Sequence, residues 1–596
     1  MLEEKAFTIY QQVHGKADSC LDAQESDVTQ ESENFKKVEF IRIKELELIY
    51  ANFDCVWFKC ALLSTTFLCG MGLNLDWATR SVYTGYATGS FSQHSLLSAV
   101  QVVNQVVASI SQIIFARLSD HYGRLNVLLL CICFHFMGTI IESQAYGTGT
   151  YAAGSIFWYA GFSGITIQFI LLMSDFSSLK WRLIFQYTPS LPYVIIPWIV
   201  GSIVKAANPM TRWSWDIAMW SFIFPLSSLP LVCLLFYVRW KTSNTQEWKA
   251  LTRGSGVKKG LLQRINHTFW YIDTIGLILI TASLACILVP LTLAGGTSQK
   301  WRDGWIIAVL VVGGTLLPTF FVWEARWAIN PILSVKQAKD RGIWAPFCSS
   351  IFSSMIYLLA IDFLYPVLFV AMNQSSTYSS MILLMPNFTG VLLSPLVAYG
   401  LAKIRRTKPF AIVGTMVYTV SAGLFYKYRG GAGASGGVIA ACLVLGAGSN
   451  LLNFTLIVSI HALSSHDQMA TLTAIYLSLA SVGSAIGAAI SGSLWTQKMY
   501  QRILEGMKDP QLALAAFSDP YAFIESYSWG SAERTALVEA YKYIQRMIMT
   551  VALALTVPFF FSVFFCKDRY LTSNLSGDEM LSDDEIAKKS DDPILD

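Results

Sequence analysis

Fourteen apolar stretches, each about 18 to 25 residues and so long enough to cross roughly 30 Å of hydrocarbon, narrow the folds open to this 596-residue chain more than any other feature. They centre on residues 56–75, 95–116, 125–143, 151–173, 184–204, 215–238, 271–293, 305–325, 345–370, 379–401, 409–426, 436–459, 469–495 and 547–566. Inside lipid every backbone N–H and C=O must find its partner within the chain, and segments of this length do so as helices. The expectation is an all-α integral membrane protein. Composition agrees, since 54% hydrophobic against 14% charged residues lies outside the range of soluble domains.

Lysine and arginine near span ends resist translocation and thereby set orientation. With the N-terminus inside, Arg117 and Arg124, Lys180 and Arg182, the run from Arg239 to Arg264, that from Arg326 to Arg341, and Lys403 to Lys408 all fall on the cytoplasmic face. An even number of spans returns the C-terminus to the same side. The formal net charge of +4 therefore reports topology and implies no nucleic-acid partner. Residues 1–50 form a polar cytoplasmic tail without an apolar core behind basic residues, so no cleaved secretory signal is expected. The tail 567–596 is acidic around Ser582-Asp583-Asp584-Glu585 and reads as disordered. The eleven cysteines lack the spacing of a zinc site or a disulfide framework and read as small packing residues.

Between the second and third spans lies Leu118-Ser119-Asp120-His121-Tyr122-Gly123-Arg124. Gly123 permits a tight reversal, and Asp120 and Arg124 supply a charge latch for a gate; the plainer reading is a hairpin loop obeying the positive-inside rule. The string resembles the cytoplasmic loop signature of the major facilitator superfamily. That resemblance implies a secondary transporter with 14 transmembrane helices in two pseudo-symmetric halves, with substrate held between them near the midplane. The halves are expected at 51–238 and 270–566, joined by a basic cytoplasmic loop at 239–269. Gly483, Gly487 and Ser491 repeat every four residues and should let helix backbones touch. The non-cytoplasmic segment 497–543, with a helix expected from Ala532 to Ile544, reads as folded, either as a lid or as a structured linker.

Ionisable residues inside spans are costly to bury, and each is a functional candidate unless it sits at a wet helix end. Asp76 and Arg80 stand four apart at the expected outer end of the first span, on one helix face, where a proton or a charged substrate would break their ion pair. Tyr83, Tyr86 and His94 follow and suit a vestibule. Asp362 has no basic neighbour within a helical turn and lies among Leu, Ile, Phe and Tyr, the surroundings expected of a proton carrier. Asp175 is a further proton-coupling candidate, although structural pairing is the favoured reading for it, for Asp273 and for Glu324. Gln101 and Asn104 would hydrogen-bond a ligand or a neighbouring helix. Arg212, Trp213 and Trp215 offer a cation and two indoles before Asp216, with an interfacial anchoring belt as the alternative. His461 and His466 flank the start of span 13 and titrate near neutral pH.

Tyr83-Thr84-Gly85-Tyr86-Ala87-Thr88 with His94-Ser95-Leu96-Leu97, the loop Leu118 to Arg124, and Gly492-Ser493-Leu494-Trp495-Thr496 resemble the fungal siderophore-iron transporter family. Within it, Ser174 to Arg182, Ile195-Ile196-Pro197-Trp198, Trp213-Ser214-Trp215 with Ile217 to Trp220, Val289 to Ala294, Phe425 to Gly431, and Tyr543 to Pro558 look closer to the glutathione exchangers. The resemblance implies a glutathione:proton antiporter of the vacuolar and plasma membranes. A proton-coupled ferric-siderophore importer is the alternative, and a non-transporting receptor the third reading. Glutathione's two carboxylates would call for Arg80 and Arg212 beside an acid such as Asp76, whereas a bulkier ferric hydroxamate would lean on aromatic residues. Span 5 departs from the glycine-rich pattern of many proton antiporters of the superfamily, carrying Pro189, Pro192, Pro197 and Gly201. No enzyme is expected, since no nucleophile–base constellation, metal spacing or phosphate-binding glycine loop stands outside the spans. No cofactor is expected beyond a proton gradient, and the partners are the small substrate, protons and the lipid bilayer.

Overall fold

The computed structural model describes residues 55–91, 96–177, 182–253, 261–294, 300–333, 335–430, 433–462 and 469–568, together with 49 and 53. The regular elements among them are helical. Thirteen helices are long and apolar enough to cross a membrane, and one bent pair brings the number to 14. In chain order they are α1 Val56–Ser90, α2 Leu97–Tyr122, α3 Arg124–Ser143, α4 Thr148–Asp175, the bent pair α5 Phe185–Val194 with Ile196–Ala207, α6 Pro209–Ser243, α7 Thr274–Leu293 and α8 Gly304–Arg326. They continue as α9 Arg341–Ala371, α10 Ser376–Leu401, α11 Lys408–Tyr428, α12 Ser435–His461, α13 Thr471–Met507 and α14 Ala532–Phe564. The tails 1–48 and 569–596, Gly254 to Gly260 of the central loop, His94 and His466 lie outside the described residues.

In the first bundle α1 packs on α6, α3 on α4 and α4 on α2; in a second, α9 packs on α13 and α14, α11 on α12 and α14, and α10 on α12. The bundles meet along two seams, α2 against α13 and α5 against α10. The pair α7–α8 lies beside the first seam, with α7 touching both α2 and α13. The outward face of α8 is the apolar surface expected against lipid.

Small residues bring the helices this close. A Cβ on Gly138 of α3 would stand 2.2 Å from the Trp158 backbone nitrogen, and one on Gly161 of α4 2.4 Å from that of His135. The stripe expected on α13 packs likewise, for a Cβ on Gly483 would stand 2.3 Å from the Ile351 carbonyl oxygen of α9.

Two spans are broken. In α5, Pro189 and Pro192 remove helical donors and the segment Thr188–Val194 tightens to a 3-10 helix before a 49° bend. In α9 the helix stops at Ile361, Phe363 adopts φ 54°, and the chain resumes as short helical turns to Ala371. Arg429 satisfies the freed carbonyls, donating to Leu359 O at 2.8 Å and to Asp362 O.

The first span is longer than its apolar run. Helix α1 continues to Ser90, so Asp76 and Arg80 stand well inside it and not at its outer end. The polar stretch after Arg80 stays helical because each threonine returns its hydroxyl to a carbonyl four residues back, Thr84 to Arg80 at 2.8 Å and Thr88 to Thr84 at 2.9 Å. The segment 497–543 is folded: α13 runs on to Met507, Pro510–Ser518 and Pro520–Ser526 are short helices, and α14 begins at Ala532 and crosses the membrane without interruption.

Candidate functional site

A charge cluster sits inside the first bundle where α1, α3 and α4 meet. Arg80 Nε donates to Asp76 Oδ1 at 3.0 Å and Nη2 to Asp76 Oδ2 at 3.2 Å, as the spacing of four predicts. The same guanidinium pairs with Glu142 and donates to Thr139 Oγ1 at 3.2 Å, both on α3. On its other side Asp76 accepts from Trp158 Nε1 at 3.0 Å and lies 2.9 Å from His135 Nε2. Asp76, His135 and Glu142 are at most 1% exposed and Arg80 is 3% exposed. Arg80 also lies over the Trp158 ring, 4.5 Å from its centroid. His135 Nδ1 has no hydrogen-bond partner among the described residues.

Two carboxylates against one guanidinium leave the ionised, buried cluster one positive charge short. One proton, on Glu142 or on His135, makes it neutral. The glycine contacts between α3 and α4 hold the backbones of His135, Glu142 and Trp158 close enough for α3 and α4 to share the same charges.

The cluster forms one wall of a cavity of about 290 Å³ that Arg80 and Glu142 share with Trp77, Gln101, Asn104 and Tyr159. Gln101 accepts from Tyr159 at 3.5 Å, and Asn104 accepts from Ser155 Oγ at 2.7 Å. Arg80, Gln101 and Asn104 thus line one cavity, with Gln101 and Asn104 each bonded to a side chain of α4. Tyr83 is buried beside them, with its hydroxyl unpartnered. Arg212, at a kink with φ −131°, and Trp215 are exposed at the start of α6. Trp213 packs edge-on against Tyr151, at 6.3 Å, and Phe91.

Asp362 occupies the break in α9, on the α2–α13 seam. Its Oδ2 accepts from Ser98 of α2 at 3.3 Å and from Ser491 of α13. One carboxylate oxygen thereby ties the first bundle to the second. Phe363 beside it stacks on Trp495 of α13, centroids 4.1 Å apart and planes 3° apart.

Arg124 occupies the loop between α2 and α3, its Nη1 2.8 Å from Asp120 Oδ1 and its Nε 2.8 Å from Asp175 Oδ2 at the end of α4. Gly123 takes φ 88°, a conformation open to glycine. At the opposite end the Tyr86 ring stacks on Tyr521 at 4.7 Å, and its hydroxyl meets that of Tyr365 at 2.9 Å. Tyr521 comes from the segment after α13, so that segment seals the first bundle against the broken end of α9.

Sequence reading named neither Glu142 nor His135 nor Trp158. Glu142 in Ile140-Ile141-Glu142 and His135 in Phe134-His135-Phe136 are ionisable groups inside an apolar run, the signal that singled out Asp76 and Asp362. Their shared site, however, comes from helix packing that no local pattern gives.

No family model matches the chain. Siderophore iron transporter ARN1 of Saccharomyces cerevisiae is 42% identical over 93% of this chain and 89% of its own length. Siderophore iron transporter ARN2 of the same yeast is 40% identical over 97% and 94%, and an MFS siderochrome iron transporter of Aspergillus fumigatus 29% over 89% and 87%. Among solved structures, the peptide transporter POT superposes with TM-score 0.53 at 14% identity, covering 85% of this chain and 95% of its own. A bacterial homologue of the lysosomal transporter Spinster superposes with TM-score 0.51 at 13% identity, covering 86% and 98%.

Proposed function

The chain belongs to the siderophore iron transporters of the major facilitator superfamily, and from that premise we propose that it carries a ferric siderophore across the membrane by alternating access, driven by protons. It is a transporter and not an enzyme. The observation that carries the coupling is the buried Asp76–Arg80–Glu142–His135 cluster, one proton short of neutrality, in the wall of the cavity.

The substrate follows from what the cavity offers. Arg80, the cation expected to meet glutathione's carboxylates, is engaged by Asp76, Glu142 and Thr139, and Arg212 lies exposed at the head of α6. What remains is neutral and aromatic, Trp77, Tyr159, Gln101 and Asn104, which favours a neutral iron chelate that displaces water from ring faces. This reading replaces the glutathione exchange suggested by short sequence strings. The enclosed part of the cavity has room for little more than a water molecule, in keeping with a closed state that opens by parting Tyr86 from Tyr521.

Proton binding would act in two places. A proton on Glu142 weakens its hold on Arg80 and lets α3 move relative to α1. A proton on Asp362 removes the negative charge to which Ser98 and Ser491 both donate, which weakens the charge-assisted tie across the α2–α13 seam and lets it slide. On the positive-inside rule we assign the Arg124 end and both termini to the cytoplasm, with the plasma or vacuolar membrane as the location.

Binding to purified full-length protein tests the substrate. A ferric hydroxamate should bind and its iron-free form should bind at least tenfold more weakly, with no saturable binding of glutathione. Saturable glutathione binding without binding of the chelate would reverse the assignment.

A further inference from the structure

A second pair of acids lies where α7 and α8 meet, at the Arg124 end. Asp273 precedes α7 with φ 55° and caps it, its Oδ1 accepting from Gly276 N at 3.4 Å and from Trp323 Nε1 at 3.0 Å. Glu324 of α8 accepts from Ile332 N at 3.0 Å through Oε2. Each carboxyl is thus satisfied on one oxygen only. The other two, Asp273 Oδ2 and Glu324 Oε1, are buried and meet no donor among the described residues. They converge on one spot, for a Cβ on Gly276 would lie 2.1 Å from the first and 3.3 Å from the second. Two acceptors facing each other in a buried place have one simple ligand, a proton shared between them.

The pair frames the site of a cation from the other side of the seam. Arg117 of α2 donates to Tyr271 O at 3.3 Å, Asn330 O at 3.1 Å and Pro331 O at 2.8 Å. Tyr271 lies two residues before Asp273, and Pro331 directly precedes the Ile332 amide that Glu324 holds. The two acids therefore shape the cradle of carbonyls around Arg117, while Arg117 forms no direct ion pair with either of them among the described residues. Next along α2 stand Asp120 and His121, and His121 faces His267 at 5.4 Å and Tyr271 at 5.2 Å on the helix Leu261–Ile272. Neither α7 over 274–293, α8 over 304–323, nor α13 over 471–495 carries an Asp, Glu, Lys, Arg or His.

We infer that Asp273 and Glu324 form a proton-binding site which, when occupied, holds closed the carbonyl cradle that docks α7–α8 onto Arg117 of α2. Losing the proton puts two negative charges against each other, and they separate by releasing the Ile332 amide or the α7 cap. Either opens the cradle. The site is independent of the substrate proposed above.

Hydrogen exchange on the full-length protein in lipid nanodiscs tests this without any transport assay. Glu324→Gln and Asp273→Asn each put an N–H where the shared proton sits, and asparagine tolerates the φ of 55°. At low pH the wild type and both variants should protect peptides spanning 271–276 and 327–332 equally. At high pH the wild type should exchange at least tenfold faster there than the variants at the same pH, with peptides of α4 unchanged. Infrared spectra should show a protonated-carboxyl band, sensitive to deuterium, that each variant loses. Equal exchange at high pH with the band intact in both variants would overturn the site, and a variant that fails to fold leaves the other to decide.

Discussion

Replacing Arg80 by alanine removes the guanidinium from between two carboxylates that are at most 1% exposed. Breaking a buried pair by deleting one partner costs about 3–5 kcal/mol, because the remaining charge has neither water nor a counter-ion. In a Glu142→Gln background the same replacement strands only Asp76, which keeps Trp158 and His135. The loss there should be near the value of hydrogen bonds to a charged group, about 1.5–3 kcal/mol. The difference is a coupling of about 1.5–2 kcal/mol between Arg80 and Glu142, at least tenfold in the folding equilibrium. Unfolding of the four proteins of this double-mutant cycle in lipid nanodiscs measures it. Losses that agree within about 0.5 kcal/mol in both backgrounds would mean that the two groups act independently, and the reading of one proton-deficient cluster would fail.

Further predictions concern the seams and the seal. Asp362→Asn should abolish the pH dependence of transport while the melting temperature stays close to that of the wild type, since both serine hydroxyls keep an acceptor; retained pH dependence would take Asp362 off the proton path. Gly161→Ala puts a Cβ 2.4 Å from the His135 nitrogen and should cost about 1–3 kcal/mol by prising α3 from α4, with transport lost alongside; an unaffected melting temperature would contradict the close contact. Tyr521→Ala should speed labelling of a Ser81→Cys probe by a membrane-impermeant thiol reagent, in a background without other accessible cysteines, and an unchanged rate would show that the ring stack is not the seal.

Much of the fold was legible because hydrocarbon thickness demands long apolar runs, and the 14 runs correspond among the described residues to 13 apolar helices and one bent pair. The Asp76–Arg80 pair was legible because four residues make one helical turn. What escaped depends on contacts distant in sequence. Glu142 meets Arg80 from 62 residues away, and Arg429 reaches Asp362 from 67 residues away. The length of α1 was hidden by threonines and tyrosines that read as a loop, yet their hydroxyls are satisfied inside the helix. The break in α9 also has a local cause that the sequence analysis did not read, since Pro366 has no N–H for the Asp362 carbonyl four residues back. The prolines of α5 did announce theirs.

The central claim is tested most directly by purified protein in liposomes with an imposed pH gradient, supplied in parallel with a labelled ferric hydroxamate and labelled glutathione. The chelate should accumulate against its own gradient while protons flow down theirs, and Glu142→Gln should uncouple the two so that the chelate only equilibrates. Accumulation of glutathione in exchange for protons, with the chelate left outside, would contradict the account.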